Sequence, residues 1–207
     1  MNMKTKRALI VVDPQNDFMP GGSLAVKNGD EIVPVINKLT KSDKYDLVVF
    51  TKDWHPANHK SFASQHNGKD VFSMTILNGM TQVLWPDHCV QDTLGAEFHK
   101  DINFDIPNLY IFKKGMNPEI DSYSGFLEND QKTSTGLSEF LKKREITEVD
   151  IVGLALDYCV CYTAVDSYKS GFKTTVLMNG VKSISDDLMP TLKIFEQEGV
   201  DIKYGGE

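Results

Sequence analysis

The stretch Glu148–Gly171, EVDIVGLALDYCVCYTAVDSYKSG, decides how the rest of the chain is read. Residues 148–155 are apolar almost without alternation and too few for a helix, which predicts a strand buried on both faces. From Asp157 onward Val160, Cys161, Ala164, Val165 and Tyr168 recur at helical spacing, and Gly171 supplies a stop. A buried strand that runs directly into an amphipathic helix is half of a βαβ unit, so the strand belongs in a parallel sheet.

The same alternation extends outward in both directions. Residues 8–13, 45–53, 107–115 and 173–180 read as further strands, with a short edge strand over 200–205. Helices are predicted over 30–42, with Ile32, Val33, Ile36 and Leu39 on one face and Pro34 tolerated in the first turn. Two more fall at 134–144 and at 185–199, the last interrupted or kinked near Pro190. The expected fold is α/β: a three-layer αβα sandwich around a central, mostly parallel, roughly six-stranded sheet with right-handed crossovers. We read residues 1–207 as one domain with a long insertion at about 54–106. That insertion holds all five histidines and both tryptophans, a content that suits a functional segment better than a disordered one.

With 207 residues, 41% of them hydrophobic and 25% charged, the chain can bury a full core. A formal net charge of −7 argues against nucleic acid or an acidic membrane as partner. Basic residues precede Ala8–Val12, but Asp13 ends that apolar run too soon for a secretory signal, and no window is long enough to span a membrane. Three cysteines are too few for a disulfide framework. The expectation is a soluble cytoplasmic protein with reduced thiols. Whether it is a monomer or a homo-oligomer is left open.

Ligands of open parallel sheets sit at the carboxyl ends of the strands. Asp13 leaves the first strand there, Asp53 and His55 the second, Lys113 and Lys114 the third, Asp157 and Cys159 the fourth. Cys159, in the first turn of its helix, is either an inert buried thiol or a nucleophile whose pKa the helix N-terminus lowers. Cys161 falls on the apolar stripe and reads as core. Asp13 is either a turn carboxylate before Pro14 or a paired buried acid, and Lys114 either a solvated strand end or a buried cation. Together a thiol, a carboxylate to take its proton and a cation to hold both make a coherent acyl-transfer site. Asp53 and His55, two residues apart, point to one side of an extended backbone, and with His88 they suit a divalent transition metal. His59, His66 and His99 could also bind metal but read first as polar surface or turn residues, and Cys89, which could be a thiolate ligand, reads first as a buried neutral thiol.

Read together, VVDPQNDFMPGGSLAV, TKDWHPANHKSFAS, LWPDHCVQ, FKKGMNPEIDSYSGF and GLALDYCV resemble the successive motifs of the nicotinamidases, or pyrazinamidases, among the isochorismatase-like cysteine hydrolases. The resemblance covers roughly residues 8–200. It implies hydrolysis of nicotinamide to nicotinate and ammonia, a step of NAD salvage, and activity on pyrazinamide. It implies a catalytic triad of Asp13, Lys114 and Cys159, and metal ligands Asp53, His55 and His88, with Ser61 contacting the metal through water. The metal would be zinc first, with iron or manganese as alternatives on the same donors. Oxyanion donors would be the N–H groups of Ala155 and Cys159, beside a cis peptide between Leu154 and Ala155. Phe18, Leu24, Trp85, Tyr123 and Tyr158 would enclose the ring. Leu156 departs from the threonine of many relatives, which leaves the local hydrogen bonding open. Rival readings are a related hydrolase acting on another amide or an enol ether, an amidase driven by metal-bound hydroxide, and a sensor that binds without catalysis.

Overall fold

In a computed structural model, which describes residues 5–205, the apolar runs become six parallel strands. They are β1 (Arg7–Val12), β2 (Leu47–Asp53), β5 (Leu109–Lys114), β6 (Glu148–Leu154), β7 (Lys173–Lys182) and β8 (Asp201–Lys203), in the spatial order β5-β2-β1-β6-β7-β8. The chain adds β2 and β5 on one side of β1 and then crosses to start β6 on the other. The switch point therefore lies between β1 and β6, where open sheets bind ligands.

The period of the strands explains the two cores. Ala8, Ile10 and Val12 of β1 face a layer made by α2 (Leu137–Lys143), α3 (Cys161–Lys169) and α4 (Met189–Glu198). Leu9 and Val11 face α1 (Ile32–Thr40) together with residues of the insertion such as Trp85, Cys89 and Ile102. Each fully buried Leu, Ile or Val adds about 1.5–3 kcal/mol of driving force, so the central strands anchor the sheet. β8 is exposed along its length, as an edge strand should be.

Several boundaries differ from the sequence expectations. The helix foreseen from Asp157 opens as a π-helical turn over Leu156–Val160, and regular α-helix begins only at Cys161. Pro190 does not interrupt α4. It sits in the first turn, where its missing N–H has no helical partner to lose. The insertion contains an antiparallel hairpin, β3 (Met74–Leu77) and β4 (Met80–Val83), joined by Asn78-Gly79 with both residues at positive φ. That dipeptide is a strong hairpin signal, and the reading of 54–106 as a single irregular insertion passed over it. No helix among the described residues is long and apolar enough to cross a membrane.

One glycine is needed for the site to close. Gly153 has φ +126 and pairs with Val12, and a Cβ there would lie 2.1 Å from the Val12 carbonyl oxygen. It lets the ends of β1 and β6 approach at the switch point.

Candidate active site

Strand register does much of the assembly. Asp53 and Lys114 are direct neighbours across the β2–β5 ladder, and Val12 pairs with Gly153 across β1–β6. Asp13, Asp53, Lys114 and Ala155 therefore leave adjacent strands at one edge. The π-helical turn after β6 wraps around the Ala155 carbonyl, which accepts the N–H groups of Tyr158 and Val160 at 3.1 Å each. That turn carries Cys159 back over the edge. The Leu154–Ala155 bond is cis, as the motif resemblance implies.

Lys114 is the hub. Its ammonium donates to Asp53, to the Ser122 carbonyl at 2.9 Å and to the Cys159 thiol at 3.5 Å. It also lies 2.9 Å from Asp13 Oδ2, out of line for a hydrogen bond, so that oxygen is buried without an aligned donor. Asp13 Oδ1 accepts the Thr51 hydroxyl at 2.6 Å. Oxygens of Asp13 and Asp53 and the Cys159 sulfur lie within 4.8 Å of one another.

Burial controls the proton affinities here. It pushes the Asp13 carboxyl up to about 6, against the pull of Lys114 and with the push of the Asp53 charge. Burial also pushes Asp53 upward, but Lys114 and His55 outweigh it and hold that carboxyl well below the usual range. The Cys159 thiol is pushed well above its ordinary value by burial, which Lys114 only partly offsets. Of the two readings of this thiol, burial favours a proton affinity raised rather than lowered. The sulfur lies in a dry π-helical turn among three carboxylates, and desolvation dominates. Burial thus favours the thiol over the thiolate at Cys159, beside the buried Asp13 carboxyl.

The second half of the site is built by the insertion. His55 donates Nδ1–H to the Gly115 carbonyl at 2.8 Å, and His88 donates Nδ1–H to the Pro86 carbonyl at 2.8 Å. In the neutral form each ring then carries its lone pair on Nε2, which lies 3.5 Å from Asp53 Oδ2 for His55 and 3.8 Å for His88. Two imidazole nitrogens and a carboxylate oxygen within bonding reach of one point fit a divalent metal. The rings are held in the tautomer such an ion requires.

Much of what supports these residues was not foreseen. Gln15 clamps the Asp53 backbone, accepting its N–H at 2.8 Å and donating to its carbonyl at 2.7 Å. Asp17 accepts the Cys89 N–H at 2.7 Å and so fixes the turn that carries His88. His59, expected at the surface, is fully buried with its ring centroid 4.4 Å from that of His55. Burial holds it neutral, its pKa lowered to about 4. Its Nδ1 lies 2.7 Å from the Ser61 hydroxyl and accepts the Ser61 N–H at 3.2 Å. Ser61 is therefore engaged in orienting His59, whose Nε2 is a buried atom without a partner. His59 belongs to a group with His55 and the buried Asp121, each of which offers a ligating atom within 4.8 Å of the others. Nothing in the local pattern of HPANHKS separates a buried histidine from an exposed one. His66 and His99 stay half-buried near the surface, and Cys89 and Cys161 are buried core thiols.

A cavity opens between the two halves. Phe18, Leu24, Trp85, Tyr123 and Tyr158 all line it, with Asp53, His88, Ala155 and Cys159 at its reactive end. Trp85 packs edge-on against Tyr158, with ring centroids 4.8 Å apart. The Tyr123 hydroxyl accepts from Trp85 Nε1 at 3.1 Å and Gln82 Nε2 at 2.9 Å. This aromatic enclosure, with convergent polar groups at one end, suits a small flat ring bearing a polar substituent. Asp121 and Ile184 also line it, and neither stood out in the sequence.

Comparison with known proteins agrees with this geometry. The profile of the isochorismatase domain matches residues 7–194. A nicotinamidase of Acinetobacter baylyi is 49% identical over 184 residues, covering 89% of this chain and 85% of that protein. The structure of a nicotinamidase and pyrazinamidase of Acinetobacter baumanii superposes with a TM-score of 0.92 at 46% identity, covering 98% of both chains. A pyrazinamidase of Pyrococcus horikoshii in complex with zinc superposes with a TM-score of 0.78 at 37% identity, covering 97% of this chain and 99% of that one.

Proposed function

Given that the chain belongs to the isochorismatase family, we propose that it is an amidohydrolase that converts nicotinamide to nicotinate and ammonia through a thioester on Cys159. The nicotinamidases it is similar to support the substrate, and the zinc-bound relative supports a metal. The observation that carries the mechanism is the contact set of Lys114, which touches the Cys159 thiol and pairs with the Asp13 carboxylate that would take its proton.

Asp13 accepts the thiol proton as the sulfur attacks the carboxamide carbon. The Ala155 and Cys159 N–H groups stabilise the oxyanion, each donor worth about 3 kcal/mol. Protonated Asp13 passes its proton to the departing nitrogen, and ammonia leaves. A water then attacks the thioester and gives its proton to Asp13. The carbon–sulfur bond breaks, nicotinate forms, and the thiol recovers the proton. Lys114 keeps the buried carboxylates compensated throughout and favours the developing thiolate.

Asp53, His55 and His88 would hold a divalent ion, zinc in the first instance, supplying a Lewis-acid anchor for the ring nitrogen. Pyrazinamide presents a nitrogen and a carboxamide in the same relation and is expected to be a second substrate. We place the reaction in the cytoplasm, in nicotinamide salvage toward NAD. The three free buried cysteines suit a reducing compartment.

Ammonia release from nicotinamide, measured on the parent protein and its Cys159→Ala variant, tests the reading. Turnover by the parent and a loss of at least about a thousandfold in the variant is expected. Equal release by both would move the chemistry to the metal. Tight binding of nicotinamide with no release by either would favour a sensor.

A further inference from the structure

Asp157 leaves β6 two residues before the nucleophile, yet its carboxylate is occupied elsewhere. Oδ1 accepts the N–H of Ile184 at 3.0 Å, and Oδ2 accepts the N–H of Ser185 at 2.9 Å. These residues begin the loop between β7 and α4, and Ile184 lines the cavity while remaining 36% exposed, which places it at the mouth. Further along, Asp187 N–H donates to the Ser185 hydroxyl at 3.1 Å and Met189 N–H to Asp187 at 3.0 Å, so the loop is internally braced. Leu24 lines the same cavity from the segment that also carries Lys27. That segment reaches the loop through Lys27 and Asp186, 3.9 Å apart between largely exposed side chains. Such a contact is weak and salt-sensitive. The Ile184 backbone is held by Asp157 and flanked by Lys182, which donates to Glu31 at 2.6 Å, and by the Ser183 hydroxyl, which donates to the Ser185 carbonyl; the Asp157 carboxylate belongs to the turn that carries Cys159.

We propose that Ile184 is a specificity-determining residue that limits the size of the ring amide admitted, and that Asp157 is the positioning residue holding it over the cavity. The inference rests on the reading of the site as a ring-amide hydrolase. Its physical basis is that one methylene in an apolar pocket shifts discrimination by about 10–200-fold. Removing most of the Ile184 side chain therefore opens room for a ring substituent, and releasing the loop does so less selectively.

The test compares nicotinamide with 5-methyl- and 6-methylnicotinamide on the parent protein, Ile184→Ala, Asp157→Asn and Asp157→Ala. In Ile184→Ala the ratio of kcat/KM for at least one methylated amide over nicotinamide rises about tenfold or more. Asp157→Ala raises the same ratio mainly through KM, and Asp157→Asn, which keeps one acceptor oxygen, falls between it and the parent. A ratio within twofold of the parent in Ile184→Ala overturns the specificity role. A uniform fall in kcat on all three amides, with a lowered Tm, overturns the positioning role and leaves Asp157 as a structural tie. Should Asp157→Ala fail to fold, Asp157→Asn and Ile184→Ala decide. Should the parent release no ammonia, the hydrolase reading fails by itself. The same ratios taken as Kd by calorimetry then still decide the mouth.

Discussion

The two halves of the site are assembled by different means. Asp53 and Lys114 end two adjacent parallel strands in direct register, and Asp13 follows the end of the strand beside them. His55, His59 and His88 come from the insertion, and their rings are aimed by local contacts to the Gly115 carbonyl, to the Ser61 hydroxyl and N–H, and to the Pro86 carbonyl. The first half is held by the whole sheet and the second by a few local bonds. A change at a strand end should therefore damage chemistry and stability together, whereas one in the insertion should loosen metal and ring binding first.

Lys114 belongs to both halves, and its removal is the largest expected effect. Lys114→Met leaves Asp13 and Asp53 buried without their cation, so stability falls by about 3–5 kcal/mol and ammonia release by at least about a thousandfold. Urea unfolding and single-turnover assays read the two losses. A variant that stays as active as the parent would separate Lys114 from the chemistry.

The insertion half responds at Gly115. Its φ is +66, and a Cβ there would lie 2.4 Å from His55 Cε1. Gly115→Ala tilts that ring, and metal affinity is expected to fall about 10–100-fold, with a loss of about 1–3 kcal/mol from the left-handed backbone. Calorimetric zinc titration measures the first effect. An affinity equal to the parent's would show that His55 does not depend on its carbonyl anchor.

The smallest effect is the most diagnostic. Asp13 must be ionised to take the thiol proton, and burial, partly offset by Lys114, sets its pKa at about 6. The expected kcat/KM profile is flat above about pH 6 and falls about tenfold per unit below it. Thr51→Val deletes the hydroxyl that favours the Asp13 anion, so the acid limb should move to higher pH. A limb that stays in place would assign it to another group.

The reading from residue patterns went furthest where local periodicity and tertiary placement coincide. EVDIVGLA and ALIVVD announce buried parallel strands because they are apolar on both faces, and the residues that follow them must then emerge at one edge. The pattern failed where placement depends on what the chain meets later. His59 and His66 lie in similar polar surroundings along the chain, yet one is buried against His55 and the other stays half-buried near the surface. Asp157 emerges with Cys159 at the carboxyl end of the fourth strand, but its oxygens are taken by residues 27 and 28 positions away.

By itself the sequence determined the α/β layering, the strand edge on which the chemistry gathers, and the residue types that gather there. These follow from the spacing of apolar residues and the direction of the strands, which are properties of short segments. The tertiary structure alone decided the π-helical turn around Cys159, the burial that raises its proton affinity, the ring contacts of the three buried histidines and the loop at the cavity mouth. Each depends on desolvation or on a hydrogen bond between distant segments, and both come into being only when the chain has closed on itself.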